Sequence, residues 1–143
     1  GAFLCCRAVV PIMIRQGGGK IINIASMTGK RPLPMRTPYC ATKMGLIGFT
    51  RSLASELGKF NINVNAICPG AVEGPRIERV INDAAIAEGV TEEEVRNRFL
   101  SASPLGRMVS AEDVAKLAVF LASDDSNNIT GEDMNVTAGV VMY

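Results

Sequence analysis

The chain has 143 residues, 48% of them hydrophobic and 20% charged, a composition that suits one α/β or α+β domain. Lys and Arg number 15 against 14 Asp and Glu, for a net charge of +1, and Arg96, Arg98 and Arg107 are scattered among acids, so no basic field favours nucleic acid or an anionic membrane. The longest apolar runs, such as residues 8–14, fall short of a bilayer span, and the lack of histidine and of CxxC spacing argues against a zinc site.

Residues 2–16 are apolar on most faces, with only Arg7 and Arg15 charged, which predicts a helix buried on more than one side. Pro11 is expected to bend it or end its regular part. No basic leader precedes the apolar run and no small-residue cleavage site follows it, so a secretory leader is not expected. Gly17-Gly18-Gly19 precedes a strand instead of opening a helix, so it reads as a plain turn and not as a phosphate cradle. Lys20 to Ala25 (KIINIA) is a short β-branched run of the kind found in buried parallel strands.

A loop from Ser26 to Arg36 leads to Thr37-Pro38, read as an N-cap followed by proline at the first helical position. Leu46, Ile47, Leu53, Ala54 and Leu57 keep helical spacing, with Gly58 and Asn61 as stop residues. Residues 62–68 (INVNAIC) form a second strand candidate, closed by Pro69-Gly70. Residues 74–106 are more polar and less regular; within them Thr91 and Glu94 form a capping box for a short helix towards Leu100. Ser110 with Asp113 resembles a second cap, ahead of an apolar stripe of Val114, Leu117, Ala118 and Leu121. Residues 131–136 read as a last strand. The alternation implies a parallel, doubly wound α/β sheet of Rossmann type, one domain or a piece of one.

Cys5, Cys6, Cys40 and Cys68 read as buried free thiols of a reducing cytoplasm, and the sequons at Asn128 and Asn135 as chance matches.

In a doubly wound sheet, ligands sit outside the carboxyl ends of the strands. Ser26 lies just beyond the first strand and Pro69-Gly70 just beyond the second. Tyr39 and Lys43 begin the intervening helix on that edge, four residues apart and so on one helix face. An ordinary phenol, with a pKa near ~10, is a poor base at neutral pH. An ammonium one helical turn away favours the phenolate. Such a tyrosine can protonate a carbonyl oxygen as hydride arrives at its carbon, or take the proton from an alcohol in reverse. A serine hydroxyl can hold that oxygen, and the ammonium keeps donors for a cofactor ribose. A tyrosine and lysine at this spacing arise by chance about one time in five in a chain of this length, so it is the joint placement at one sheet edge that carries weight.

The segments GKIINIAS, Ser26 followed by Tyr39-Cys40-Ala41-Thr42-Lys43, GFTRSLASEL, NVNAICPG and PLGRMVSAEDVAKLAVFLASD occur in one order along the chain. With them the sequence resembles the C-terminal portion of the short-chain dehydrogenases/reductases. That resemblance implies NAD or NADP as cofactor, Tyr39 as proton donor or acceptor, Lys43 on the nicotinamide ribose and Ser26 orienting the substrate. It places Ile24, Ala25, Pro69, Gly70, Ala71 and Val72 beside the cofactor, with Tyr39 and Lys43 contacting it as well. Residues 74–106 become a substrate lid. It further implies a small alcohol or ketone substrate and a homodimer or homotetramer that buries faces of the helices at residues 2–14 and 44–57; burial of part of that surface under the other half of the sheet is an equal alternative.

Three features depart from the family pattern. The glycine-rich turn that grips the pyrophosphate, the residue choosing NAD or NADP and a helical asparagine of the proton relay lie ahead of the matching region. The segment alone is therefore expected to bind cofactor poorly and to be inactive. A threonine expected after Pro-Gly is Gly74, and a terminal Asp-Gly-Gly is Thr137-Ala138-Gly139. Two other readings stay open. One is a dinucleotide-binding or interaction protein without turnover, against which the intact Ser26, Tyr39 and Lys43 stand. The other is a lyase or epimerase using the same tyrosine, which the short lid favours little.

Overall fold

A computed structural model describes residues 1–143. Helix α1 (Ala2–Gln16) ends where Gly17 turns into the left-handed region at φ 84°. Strand β1 (Gly19–Ile24), helix α2 (Thr37–Leu57), strand β2 (Ile62–Pro69), helices α3 (Pro75–Glu88), α4 (Glu92–Ser101) and α5 (Ala111–Ala122) and strand β3 (Asp133–Val136) follow. The three strands are parallel in the order β1-β2-β3, paired from Gly19↔Ile62 to Ile24↔Ile67 and from Ala66↔Asp133 to Pro69↔Val136.

Strand alternation sends successive side chains to opposite layers. Ile21, Ile62 and Val64 pack with Cys6 of α1 and with Ala54 and Leu57 of α2; Ala25, Ala66 and Cys68 continue that layer under Ile47. On the other face lies α5 with fully buried Leu121. There β2 carries Asn63 and Asn65, whose amides donate to the Asn127 and Ile129 carbonyls at 2.9–3.0 Å. The buried asparagines thus satisfy the chain turn after α5 and cost nothing unpaired. Helices on both faces make the sheet doubly wound, as expected.

Several expectations are corrected. Helix α1 buries only Cys6 and leaves Phe3, Leu4, Val9, Ile12 and Ile14 exposed, because only one side of it meets β1 and α2. Pro11 lies inside the continuous helix and does not end it. Arg36, not Thr37, caps α2, and no side chain closes that cap. Residues 75–88 are a regular helix α3, packed through Ile77, Ile81 and Ala85 against Val95 of α4. Gly89 ends it at φ 67°. Both capping boxes form, Thr91 with Glu94 and Ser110 with Asp113. Of the four free cysteines, Cys6 and Cys68 are buried, whereas Cys40 is half-buried and Cys5 exposed. No helix is long and apolar enough to cross a membrane.

One ion cluster pins the loop after β1 to β3. Asp133 meets Lys30 at 3.0 Å and Arg51 at 2.7 Å, and Lys30 also donates to the Asp133 and Tyr143 carbonyls at 2.8 and 2.6 Å. Burial pushes the Asp133 carboxyl up, but hydrogen bonds from Arg51 and Lys30, with their charges, hold it below the usual carboxylate range. A depressed folded pKa means that the stabilisation is complete above the ordinary carboxylate pKa and is lost as pH falls through the lower folded value. Asp133→Asn is therefore expected to cost about 1–3 kcal/mol at neutral pH and progressively less in acid. Denaturant unfolding at the two pH values checks this, and an equal deficit at both contradicts it.

Candidate active site

Immediately beyond β1 the chain enters a short 3-10 turn, Met27–Gly29, capped by Ser26 in an extended conformation. Ser26 Oγ accepts the Thr28 N–H at 3.2 Å and the Thr28 Oγ1–H at 3.0 Å. With both acceptor sites occupied, the serine hydrogen is the group left to offer to another oxygen. Residues 26–29 are all buried. The turn seats on α2 through Gly29, where an added Cβ would come within 2.9 Å of the Lys43 carbonyl carbon and 3.0 Å of the Met44 nitrogen.

Helix α2 supplies Tyr39 and Lys43, one turn apart. Lys43 Nζ donates to the Ile24 carbonyl at 2.8 Å and lies 5.7 Å from the Tyr39 ring centroid. From α3, the Arg76 guanidinium lies 5.5 Å from the same centroid. Burial pushes the Tyr39 phenol up; hydrogen bonding from Arg76 and Ser26, with the charges of Lys43 and Arg76, outweighs it and leaves the pKa below the ordinary tyrosine value. The arrangement lowers the cost of forming the phenolate, the state a proton-accepting tyrosine needs.

Pro69, Gly70, Ala71 and Val72 form the half-buried wall opposite. Gly70 N donates to the Val136 carbonyl at 2.8 Å, and a Cβ there would meet Thr137 Cα at 3.0 Å, so the glycine permits a close backbone approach to the segment after β3. Val72 bridges Val109, and Val109 N donates to the Ala71 carbonyl at 3.0 Å. Beside this wall, Met27, Leu33, Ala71, Val95, Phe99 and Met108 line a largely apolar cavity of about 260 Å³ between the serine turn and α3–α4.

The structure thus brings Ser26, Tyr39 and Lys43 to one edge, with the Ile24 carbonyl held by Lys43. Ala25 is buried and Ile24 half exposed, and residues 69–72 stand across from them. The triple glycine is a turn: a Cβ on Gly18 would meet Asn61 O at 2.7 Å. Sequence reading missed Arg76, Thr28 and Gly29. The Gly74-Pro75 start and the Ile77, Ile81, Ala85 spacing could have revealed α3, and with it Arg76 in the first turn. Nothing in the sequence signals that Thr28 folds back on Ser26. Thr28→Val removes that hydroxyl donor. It is expected to lower kcat of the full-length protein by about 2- to 12-fold, the worth of one net hydrogen bond, with the dinucleotide Kd unchanged. Steady-state kinetics with a binding titration check this.

A parallel α/β sheet with serine, tyrosine and lysine gathered at its carboxyl edge defines a Rossmann-type protein with a protic cluster at the ligand-binding end. A family profile described as enoyl-(acyl carrier protein) reductase matches residues 1–141. D-beta-hydroxybutyrate dehydrogenase of Rhizobium meliloti (strain 1021) is 40% identical over 139 residues, 96% of this chain and 54% of that protein. The crystal structure of sorbitol-6-phosphate 2-dehydrogenase from Erwinia amylovora superposes with TM-score 0.94 at 36% identity, over 99% of this chain and 56% of the other. L-sorbose reductase from Gluconobacter frateurii, complexed with NADPH and L-sorbose, gives TM-score 0.89 at 31% identity, over 99% and 54%. The chain belongs to the short-chain dehydrogenase/reductase family. It spans about half the length of these relatives.

Proposed function

We propose that the full-length protein is an NAD(P)-dependent oxidoreductase that interconverts a secondary alcohol and a ketone. The observation that carries this reading is the Tyr39 phenol set between Lys43, Ser26 and Arg76 at the carboxyl edge of the sheet. Residues 1–143 fit the nicotinamide end of such a cofactor. Lys43 uses one donor on the Ile24 carbonyl and has two left for ribose hydroxyls, while Ile24, Ala25 and Pro69 to Val72 offer two walls. No glycine-rich helix start among these residues suits a pyrophosphate, so the segment alone would bind cofactor poorly and lack turnover.

When bound, the dinucleotide supplies or accepts the hydride. Ser26 directs its free hydrogen to the substrate oxygen and stabilises charge developing there. Tyr39 gives that oxygen a proton in the reducing direction and takes one in the oxidising direction. Lys43 lowers the cost of the phenolate. Residues 74–106, now seen as α3, α4 and their flanks, act as the substrate lid, closing over the apolar cavity. The exposed apolar side chains of α1, with Met44 of α2, suit burial between subunits of a homodimer or homotetramer in a reducing cytoplasm, where the four thiols stay free.

The names of the relatives divide between charged and neutral substrates and agree on dehydrogenase or reductase chemistry. The test is nicotinamide oxidation or reduction by the full-length protein across a panel of small ketones and secondary alcohols, with both NAD and NADP. Turnover of at least one pair is expected. Dinucleotide binding without turnover of any panel member would replace this reading by one of a binding protein.

A further inference from the structure

Arg76 makes no ion pair in the chain; the group it touches is Tyr39. Five ion pairs form, and they use Lys30, Arg51, Arg96, Arg98 and Lys116. Neither nearby acid pairs with it: Glu78, two residues on, is taken by Arg96, and Glu73, ahead of the helix start at Gly74, makes none of the five pairs. Arg76 also stands in the first turn of α3, where a cation opposes the helix dipole and an anion would be favoured. This placement is locally unfavourable. Its side chain nevertheless reaches back over the Tyr39 ring, 5.5 Å from the centroid, rather than into open solvent alone. One of its N–H groups serves the Tyr39 hydroxyl; a guanidinium carries five, and those remaining form a fork that matches the paired oxygens of a carboxylate or phosphate.

We propose that Arg76 is a specificity-determining residue that binds an oxyanion, carboxylate or phosphate, carried by the substrate of the reaction described above. The proposal rests on that reaction reading and adds the charge of the substrate to it. The anion sits beside the reacting carbonyl, since the group that would hold it flanks the phenol that would protonate that carbonyl. It relieves the uncompensated charge at the start of α3 and ties this helix to the site as substrate binds. The cavity beyond Met27 and Ala71 is lined mostly by apolar side chains, with Arg98 paired to Glu88 and with Arg31 and Arg107 at it as well, so it takes the remainder of the molecule, while Arg76 is the arginine set against the phenol.

Matched charged and neutral probes test this in the full-length protein: acetoacetate against methyl acetoacetate, and fructose 6-phosphate against fructose. The expected result is a preference for the charged member of one pair, and that pair tells carboxylate from phosphate. Arg76→Ala should cut the charged-to-neutral ratio of kcat/KM by about 10- to 150-fold, the loss of a charged hydrogen-bond pair, and Arg76→Lys should restore part of it. A fall common to both members of a pair reports on the phenol, whereas the ratio reports on the anion. No preference for a charged member in either pair, or a ratio unchanged in Arg76→Ala, overturns the proposal. Calorimetric titration of the same four probes, with dinucleotide present, reads the contact without turnover. Failure of the reaction reading leaves all four probes unconverted, and the binding ratio then still upholds or overturns the anion site.

Discussion

Replacing Tyr39 with phenylalanine is expected to lower kcat of the full-length protein by about a hundred- to ten-thousand-fold, the usual worth of a positioned acid–base group. Dinucleotide affinity should hardly change. The substitution keeps the ring that lies 5.7 Å from the Lys43 ammonium and 5.5 Å from the Arg76 guanidinium, so the cation contacts and the half-buried packing survive. What it removes is the hydroxyl proposed to exchange a proton with the substrate oxygen, while Ser26 remains. The loss should therefore appear in kcat and kcat/KM together, as expected for an interaction made in the transition state. Wild-type oxidation should gain rate with rising pH and level off below the ordinary tyrosine pKa, because burial, which raises the phenol, is outweighed by Arg76, Ser26 and Lys43. The phenylalanine variant should lose that limb. Steady-state rates across pH, with calorimetric dinucleotide binding, check both parts. Activity in the variant within a few-fold of wild type would remove Tyr39 from the proton-transfer role.

The parts of the fold legible in the sequence are those where one local signal dominates. KIINI and INVNAIC are continuous β-branched runs between glycine or proline stops, and they became β1 and β2 within a residue or two. Thr91 with Glu94 and Ser110 with Asp113 carry their reciprocal bonds between residues three positions apart, and both helices start where those bonds form. Helix α3 escaped because Arg76, Glu78, Arg79, Asn82 and Asp83 interrupt its apolar residues along the sequence. Ile77, Ile81 and Ala85 bury against Val95 of α4 and against Met108, partners far enough along the chain that the segment reads as polar until they are known. Helix α1 failed in the opposite sense. Its hydrophobicity is real, but sequence cannot say what lies against each face, and this chain covers only the side of Cys6, Val10 and Met13.

The candidate site divides in the same way. Ser26, Tyr39 and Lys43 could be placed at one edge because topology alone puts strand ends and the next helix start together. The Lys43 bond to the Ile24 carbonyl follows from that geometry, since a long side chain one turn into α2 reaches back over the end of β1. Arg76 and Thr28 did not emerge, for their contacts depend on how α3 and a three-residue turn fold back; periodicity could have revealed the helix but not what Arg76 touches.

Gly29 is the clearest case of a residue whose importance is purely spatial. Its backbone is in no left-handed conformation, so any residue could adopt it. The constraint is what an added methyl would touch. Alanine at this position would put its Cβ 2.9 Å from the Lys43 carbonyl carbon, 3.0 Å from the Met44 nitrogen and 3.0 Å from Ile47 Cδ1. Ile47 can rotate aside, but the other two atoms are main chain in the middle of α2, so the 3-10 turn or the helix must move. Either motion separates Ser26, at the head of the turn, from Tyr39 and Lys43 on the helix. Gly29→Ala is therefore expected to cost about 1–3 kcal/mol of stability, as overpacking does. It should also lower kcat by about 10- to 100-fold, in the range of a displacement of under an ångström at reacting groups. Gly58→Ala is the matching control. Gly58 has helical dihedrals and nothing within 4 Å of an added Cβ, so alanine there should stabilise by about 0.4–1 kcal/mol through the unfolded chain. Denaturant unfolding and kinetics on the two variants, side by side, separate close approach from the general effect of removing a glycine. If Gly29→Ala matched Gly58→Ala in both stability and kcat, the serine turn would not be held against α2 by this contact.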